Sequence, residues 1–272
     1  MNELYGFDAY APAEIAHRIQ TVGEAKARLA LAPLVMLGVL AGAFIGLGSM
    51  LFVIVRADVT LGFAASQLVG GAVFSLGLLM VVVAGAELFT GNNLLVLAWA
   101  ERRISAALVL RNWAVVCAAN FVGAAGLALL VYLSGHTDMG GGAVGRTVVR
   151  VAVAKQQLPW QEAFVRGMLC NVLVCMAVWM AMAGRSVVDR AVAIVFPITA
   201  FVAAGFEHSI ANMYLLPLAM LVQSSEPGQV GSAVTLSGMA VNLGFVTAGN
   251  LVGGSVLVGL TYHFIYGRQK RP

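Results

Sequence analysis

Gly85-Ala86-Glu87-Leu88-Phe89-Thr90-Gly91-Asn92 and Gly205-Phe206-Glu207-His208-Ser209-Ile210-Ala211-Asn212 share the form G-x-E-x-x-x-x-N and lie 120 residues apart. Each interrupts an apolar run with a glycine, a carboxylate and hydrogen-bonding side chains. A carboxylate in hydrocarbon costs about 2.5 to 3.5 kcal/mol on insertion scales unless it finds partners, so the two octets read as matched helix breaks inside a membrane. A second echo stands at an offset of 130: Asn112, Asn120 and Gly123 against Asn242, Asn250 and Gly253. Two matched motifs in corresponding spans predict a duplication of three spans plus three, and because three is odd the halves are inverted. Gly-interrupted segments at matching places in inverted halves point to a midplane site. Breaks in lipid are tolerated only where the freed backbone groups are buried in protein or line a cavity. The two octets are therefore expected to face each other across a pore.

The rest of the chain agrees with this setting. Of 272 residues, 60% are hydrophobic and 10% charged, less than half the charged share of a soluble domain. With a mean hydropathy of +0.90, that excludes an ordinary soluble enzyme and a disordered chain. Residues 29–55 carry no charge and exceed the length needed to cross the hydrocarbon core. Further apolar runs cover 59–86 with 88–100, 112–135, 167–184, 191–206 with 209–225, and 227–262. These predict an all-α membrane protein of six transmembrane helices, the second and fifth broken. Residues 1–30 read as an amphipathic cytoplasmic helix region, 31–267 as the pore domain and 268–272 as a cytoplasmic tail. The early acidic residues Glu3, Asp8 and Glu14 do not suit a cleaved signal peptide. The side bearing both termini takes eleven Lys and Arg and the other side five, which makes the termini cytoplasmic.

His208 is the single histidine in the middle of a span. It is open to two readings, a core histidine that pins the broken helix or a group that shares a proton or hydrogen bond with a solute. The duplicated break favours the second. Glu87 and Glu207 read as supports of the break, accepting freed backbone N–H groups. Thr90, Ser209, Asn92 and Asn212 could do the same or bind a permeant, and Asn171 is equally open. Helical spacing alone assigns Phe74, Leu78, Leu88, Phe89, Val174 and Phe201 to packing. Cys117, Cys170 and Cys175 are odd in number and apolar in setting, hence small buried residues. No second His or Cys stands at metal-ligand spacing, and no cofactor motif or nucleic-acid-binding run occurs. The connection at 136–160 holds Gly140-Gly141-Gly142 and no nucleophile and base set, which argues against an enzyme.

The segment from Gly205 to Met213, with Glu87-Leu88-Phe89-Thr90 and the run Cys170 to Trp179, resembles the formate/nitrite transporter family over nearly the whole chain. Within it, Leu68-Val69-Gly70-Gly71, Phe74 to Leu78, Gly184-Arg185-Ser186 and Gly259 to Tyr262 are most similar to formate channels. The loop 224–232 is shorter than in formate channels, and Thr90 is followed by Gly91-Asn92. The resemblance implies an aquaporin-like fold and a homopentamer with one pore per protomer in the bacterial inner membrane. It implies His208 as the central histidine, Thr90 as its neighbour, Asn171 in the chamber and Lys155 as an attractor of anions. Phe74 and Phe201 become an outer constriction, and Leu78, Leu88, Phe89 and Val174 an inner one. Small anions with protons are the expected partners, among lipid and sister protomers. Formate leads, nitrite and hydrosulfide are alternatives, and a water- or glycerol-type pore is the rival that would not depend on His208.

Overall fold

A computed structural model describes residues 9–225 and 233–267. The expectations for 1–8, for the loop at 226–232 and for the tail 268–272 lie outside the described residues.

Helix α1 (Pro12–Ala27) begins with Pro at its first position, where a missing N–H costs nothing, and with the Ala11 N–H donated to Glu14 Oε2 at 2.8 Å. Helix α2 (Leu31–Ala57) follows after three residues and carries no charge until Arg56 in its last turn. The second apolar run folds as α3 (Phe63–Phe74), α4 (Leu76–Met80) and a π-helical turn at Val81–Gly85. Gly85 adopts φ +83°, a left-handed conformation open to glycine at little cost, and there the helix ends. After an extended stretch the chain resumes as a 3-10 turn (Gly91–Leu94) and α5 (Leu95–Ala100). Then come α6 (Ala106–Leu133), α7 (Ala143–Gln156) and α8 (Trp160–Ala181). Helix α9 (Val187–Ala203) opens on a capping box between Ser186 and Asp189 and closes at Gly205, φ +71°. The chain restarts as α10 (Ser209–Ser225) and ends with α11 (Leu236–Leu251), a π-helical stretch (Val252–Leu260) and α12 (Thr261–Tyr266).

Among the described residues, five helical runs are long and apolar enough to cross a membrane, and α10 is a shorter apolar helix. The chain is a multi-pass membrane protein. The observed helices extend past several of the charge-free runs: α6 takes in Arg111, and α8 begins at Trp160 and takes in Glu162 and Arg166. Charge marks where the hydrocarbon ends, not where the helix does. The 136–160 connection contains α7, which no charge-free run announces; its buried face is Val144, Val148, Val149 and Ala152.

Packing follows the small residues. Helix α2 lies along α6 and α8 along α11. At Gly123 an added Cβ would fall on the Val39 carbonyl, and at Gly253 on that of Met168, so both crossings depend on bare backbone. Helix α3 packs on α9, and α10 on α6, α7 and α2, which brings both breaks to the middle of the bundle.

Candidate functional site

The freed backbone at each break is bonded mainly by one asparagine from a neighbouring span. Asn120 of α6 donates to Gly38 O (2.7 Å) and Glu87 O (2.9 Å), and its Oδ1 accepts the Phe89 N–H at 2.9 Å. Asn250 of α11 donates to Gly167 O (2.7 Å) and Glu207 O (2.9 Å), and accepts the Ser209 N–H at 2.9 Å. The N–H groups of Glu87 and Glu207 themselves reach Leu37 O and Arg166 O, each at 3.2 Å.

This corrects the expectation for Glu87 and Glu207, whose carboxylates accept no backbone N–H among the described residues. Glu87 binds Lys26 Nζ at 3.0 Å and Asn92 Nδ2 at 2.7 Å. Glu207 binds Lys155 Nζ at 2.9 and 3.0 Å and Asn212 Nδ2 at 2.7 Å. Each buried carboxylate thus has an opposite charge and an amide donor beside it, the condition under which a buried ion is tolerated. Asn92 and Asn212 pass the contact on to Asn112 Oδ1 (2.9 Å) and Asn242 Oδ1 (2.8 Å). The amides of Asn112 and Asn242 close each loop on the carbonyls of Lys26 (3.4 Å) and Lys155 (2.8 Å). Ser209 Oγ, by contrast, is buried with no partner among the described residues.

Lys26 is a site residue that sequence reasoning missed, having assigned it to the surface helix. The signal was present: Lys155 stands 129 positions after Lys26, as Gly167 does after Gly38. Helix α1 brings Lys26 to the break at Glu87, and α7 brings Lys155 to the break at Glu207.

His208 is 3% exposed, and both ring nitrogens are committed. Nδ1 accepts the Ala211 N–H at 3.2 Å, capping the first turn of α10 as a serine or aspartate would. A nitrogen that accepts carries no proton, so the neutral ring is the Nε2–H tautomer. Nε2 lies 3.1 Å from Thr90 Oγ1 and donates to it. The Thr90 hydroxyl proton finds no other acceptor among the described side chains. Asn171 Nδ2 donates to Thr90 O (3.2 Å), Asn93 Oδ1 (2.8 Å) and Asn250 O (2.7 Å), which ties the two breaks together. Three acceptors around its amide nitrogen settle the amide orientation and leave Oδ1 buried without a partner among the described residues.

Two cavities approach this centre. One, of about 430 Å³, is lined by Lys26, Glu87 and Asn92 together with Leu78 and Leu88. The other, of about 240 Å³, holds Lys155, Glu207 and His208 with Phe74 and Phe201. Phe201 stacks on the His208 ring (centroids 5.8 Å, 21°), and Phe74 meets Phe201 edge-on at 5.6 Å. All six apolar residues named from the sequence are buried in one cluster. Phe89, Val174, Thr90 and Asn171 line neither of these two cavities. Cys170 and Cys175 are buried and Cys117 half-buried, all free thiols.

A multi-pass membrane protein whose buried polar centre is approached by a cavity from each broken helix pair has the build of a transport protein. The family model for the formate/nitrite transporters matches residues 13–264, and the chain belongs to that family. The formate channel FocA of Escherichia coli (strain K12) is 38% identical over 97% of this chain and 96% of its own. Among solved structures, a pentameric formate channel with formate bound superposes with a TM-score of 0.82 at 33% identity, covering 88% of this chain and 98% of that one. An FNT family ion channel gives the same TM-score at 32% identity, over 93% and 98% of the two chains.

Proposed function

We propose that the protein carries formate across the cytoplasmic membrane through a pore in each protomer of a homopentamer. The chain makes six crossings in two inverted halves of an aquaporin-like fold, with both termini cytoplasmic. Residues 1–30 make up the cytoplasmic N-terminal region, 31–267 the pore domain and 268–272 the tail. The paired bonding of Asn120 and Asn250, and of Lys26 and Lys155, supports the inverted repeat. The similarity to formate channels supports the solute, and the similarity to a solved pentamer supports the assembly.

The observation that carries the mechanism is the His208–Thr90 pair, with His208 lining the smaller cavity beside Phe74 and Phe201. A bare carboxylate entering such an apolar constriction loses hydration worth several kcal/mol. With Nδ1 held by Ala211, the ring has one proton to offer, on Nε2, and it polarises the Thr90 hydroxyl. Thr90 then donates its own proton in a hydrogen bond to the anion at the narrowest point. A preorganised donor in a dry site is worth far more than in water. Lys26 and Lys155 each line one vestibule in an ion pair with Glu87 and Glu207, and Asn171 braces the chamber. Phe74 and Phe201 form the outer constriction, Leu78, Leu88, Phe89 and Val174 the inner one. This geometry favours a hydrogen-bonding His208 over one that transfers its proton, because an imidazolium would set two N–H groups against each other at Nδ1. Formate flux into proteoliposomes tests the reading: it falls steeply in His208→Phe, and flux unchanged in that variant between external pH 5 and 8 would overturn it.

A further inference from the structure

The two vestibules differ in charge. Lys26 is neutralised by Glu87 and Lys155 by Glu207. On the His208 side, Arg166 is paired with Glu162 at 2.7 Å. Arg56, from the last turn of α2, lines the same cavity and pairs with no carboxylate among the described residues. Its one side-chain bond runs from Nη1 to Ser66 Oγ at 3.3 Å, which leaves most of its five donors free. The acid nearest in sequence, Asp58, is turned into its own loop. Its Oδ1 accepts the Thr60 hydroxyl at 2.7 Å and the Thr60 N–H at 2.8 Å. The hydroxyl bond first, then the N–H, holds that carboxyl below its usual range. Gln67 of α3 faces the cavity with no hydrogen bond among the described residues.

We infer that Arg56, with Gln67 beside it, forms an outer docking position for a carboxylate, ahead of the Phe74–Phe201 constriction. The inference rests on the anion-transport reading above and adds a capture step to it. A guanidinium presents parallel donors that match a carboxylate edge, and a side-chain amide adds one more. The cavity, at about 240 Å³, accommodates a small carboxylate. A fixed positive charge in a low-dielectric cleft raises the local anion concentration and speeds entry, and salt removes the effect.

The test compares Arg56→Gln, Arg56→Lys and Ser66→Ala with the native protein in proteoliposomes. Flux is read at sub-saturating and saturating formate, with equal salt on both sides, at about 10 mM and about 500 mM sodium chloride. Docking requires Arg56→Gln to lose about three- to tenfold of its low-salt, sub-saturating flux, to stay within about twofold at saturation, and to converge on native at high salt. Arg56→Lys keeps most of the flux, and Ser66→Ala behaves as native. The proposal is overturned by low-salt flux unchanged in Arg56→Gln. A loss that persists at high salt, or that Ser66→Ala reproduces, also overturns it, by assigning Arg56 a structural part. A native protein that carries no formate would instead refute the transport reading itself.

Discussion

The Nδ1 atom of His208 accepts the backbone N–H of Ala211 at 3.2 Å, so one imidazole both caps α10 and presents its single proton to Thr90. The two roles are separable, because a good cap need not be a good donor at Nε2. Asparagine is among the best capping residues, whereas alanine forfeits about 0.5 to 2 kcal/mol at such a position. We expect His208→Asn to assemble and melt near the native temperature yet to lose at least about tenfold in formate flux, while His208→Ala loses stability as well. Detergent melting curves beside liposome flux separate the two. Ring 15N shifts of the native protein at neutral pH report a protonated Nε2 and a bare Nδ1.

The lysine–glutamate pairs differ in burial. Lys155 and Glu207 are 15% and 5% exposed at their side chains, Lys26 and Glu87 28% and 6%. Removing one partner of a buried pair strands the other and costs about 3 to 5 kcal/mol, less where water reaches it. Lys155→Met is therefore expected to lower the melting temperature more than Lys26→Met. The double variant Lys155→Met/Glu207→Gln should regain at least about half of the loss, since its remaining amide still accepts from Asn212. A double variant as unstable as Lys155→Met alone would contradict the assignment.

Asn120 and Asn250 each satisfy three buried backbone groups. Replacement by leucine leaves two carbonyls and one N–H bare at about 1 to 3 kcal/mol apiece. Both variants are expected to lose folded protein in size-exclusion profiles. Asn120→Asp and Asn250→Asp set a carboxylate against two carbonyl oxygens with no cation beside it, and are expected to be at least as unstable as the leucine variants.

Gly123 and Gly253 mark the two closest helix crossings, against Val39 O and Met168 O. A methyl group cannot enter without separating α2 from α6, or α8 from the π-helical stretch that follows α11. Gly123→Ala and Gly253→Ala should each lower the melting temperature, whereas Gly126→Ala, where an added Cβ meets nothing within 4 Å, should leave it unchanged.

Hydropathy, the two G-x-E octets and the spaced asparagines were enough to place the breaks at Gly85 and Gly205, because lipid penalises every polar group that lacks a reason to be there. The family resemblance was likewise carried by local residues. What local pattern left open was the choice of partner. The carboxylates were expected on backbone N–H groups, and instead asparagines from other spans hold the backbone while lysines hold the carboxylates. Lys26 was hidden for the same reason: on α1 it reads as one more charge of a surface helix, and only the packing of α1 over the first break turns it toward Glu87. The tautomer of His208 follows from a contact with Ala211 that exists once the helix is broken and restarted. Periodicity and composition determine which side chains leave the lipid, but a buried donor takes the acceptor that the folded backbone brings within 3 Å, and that pairing is a property of the tertiary structure.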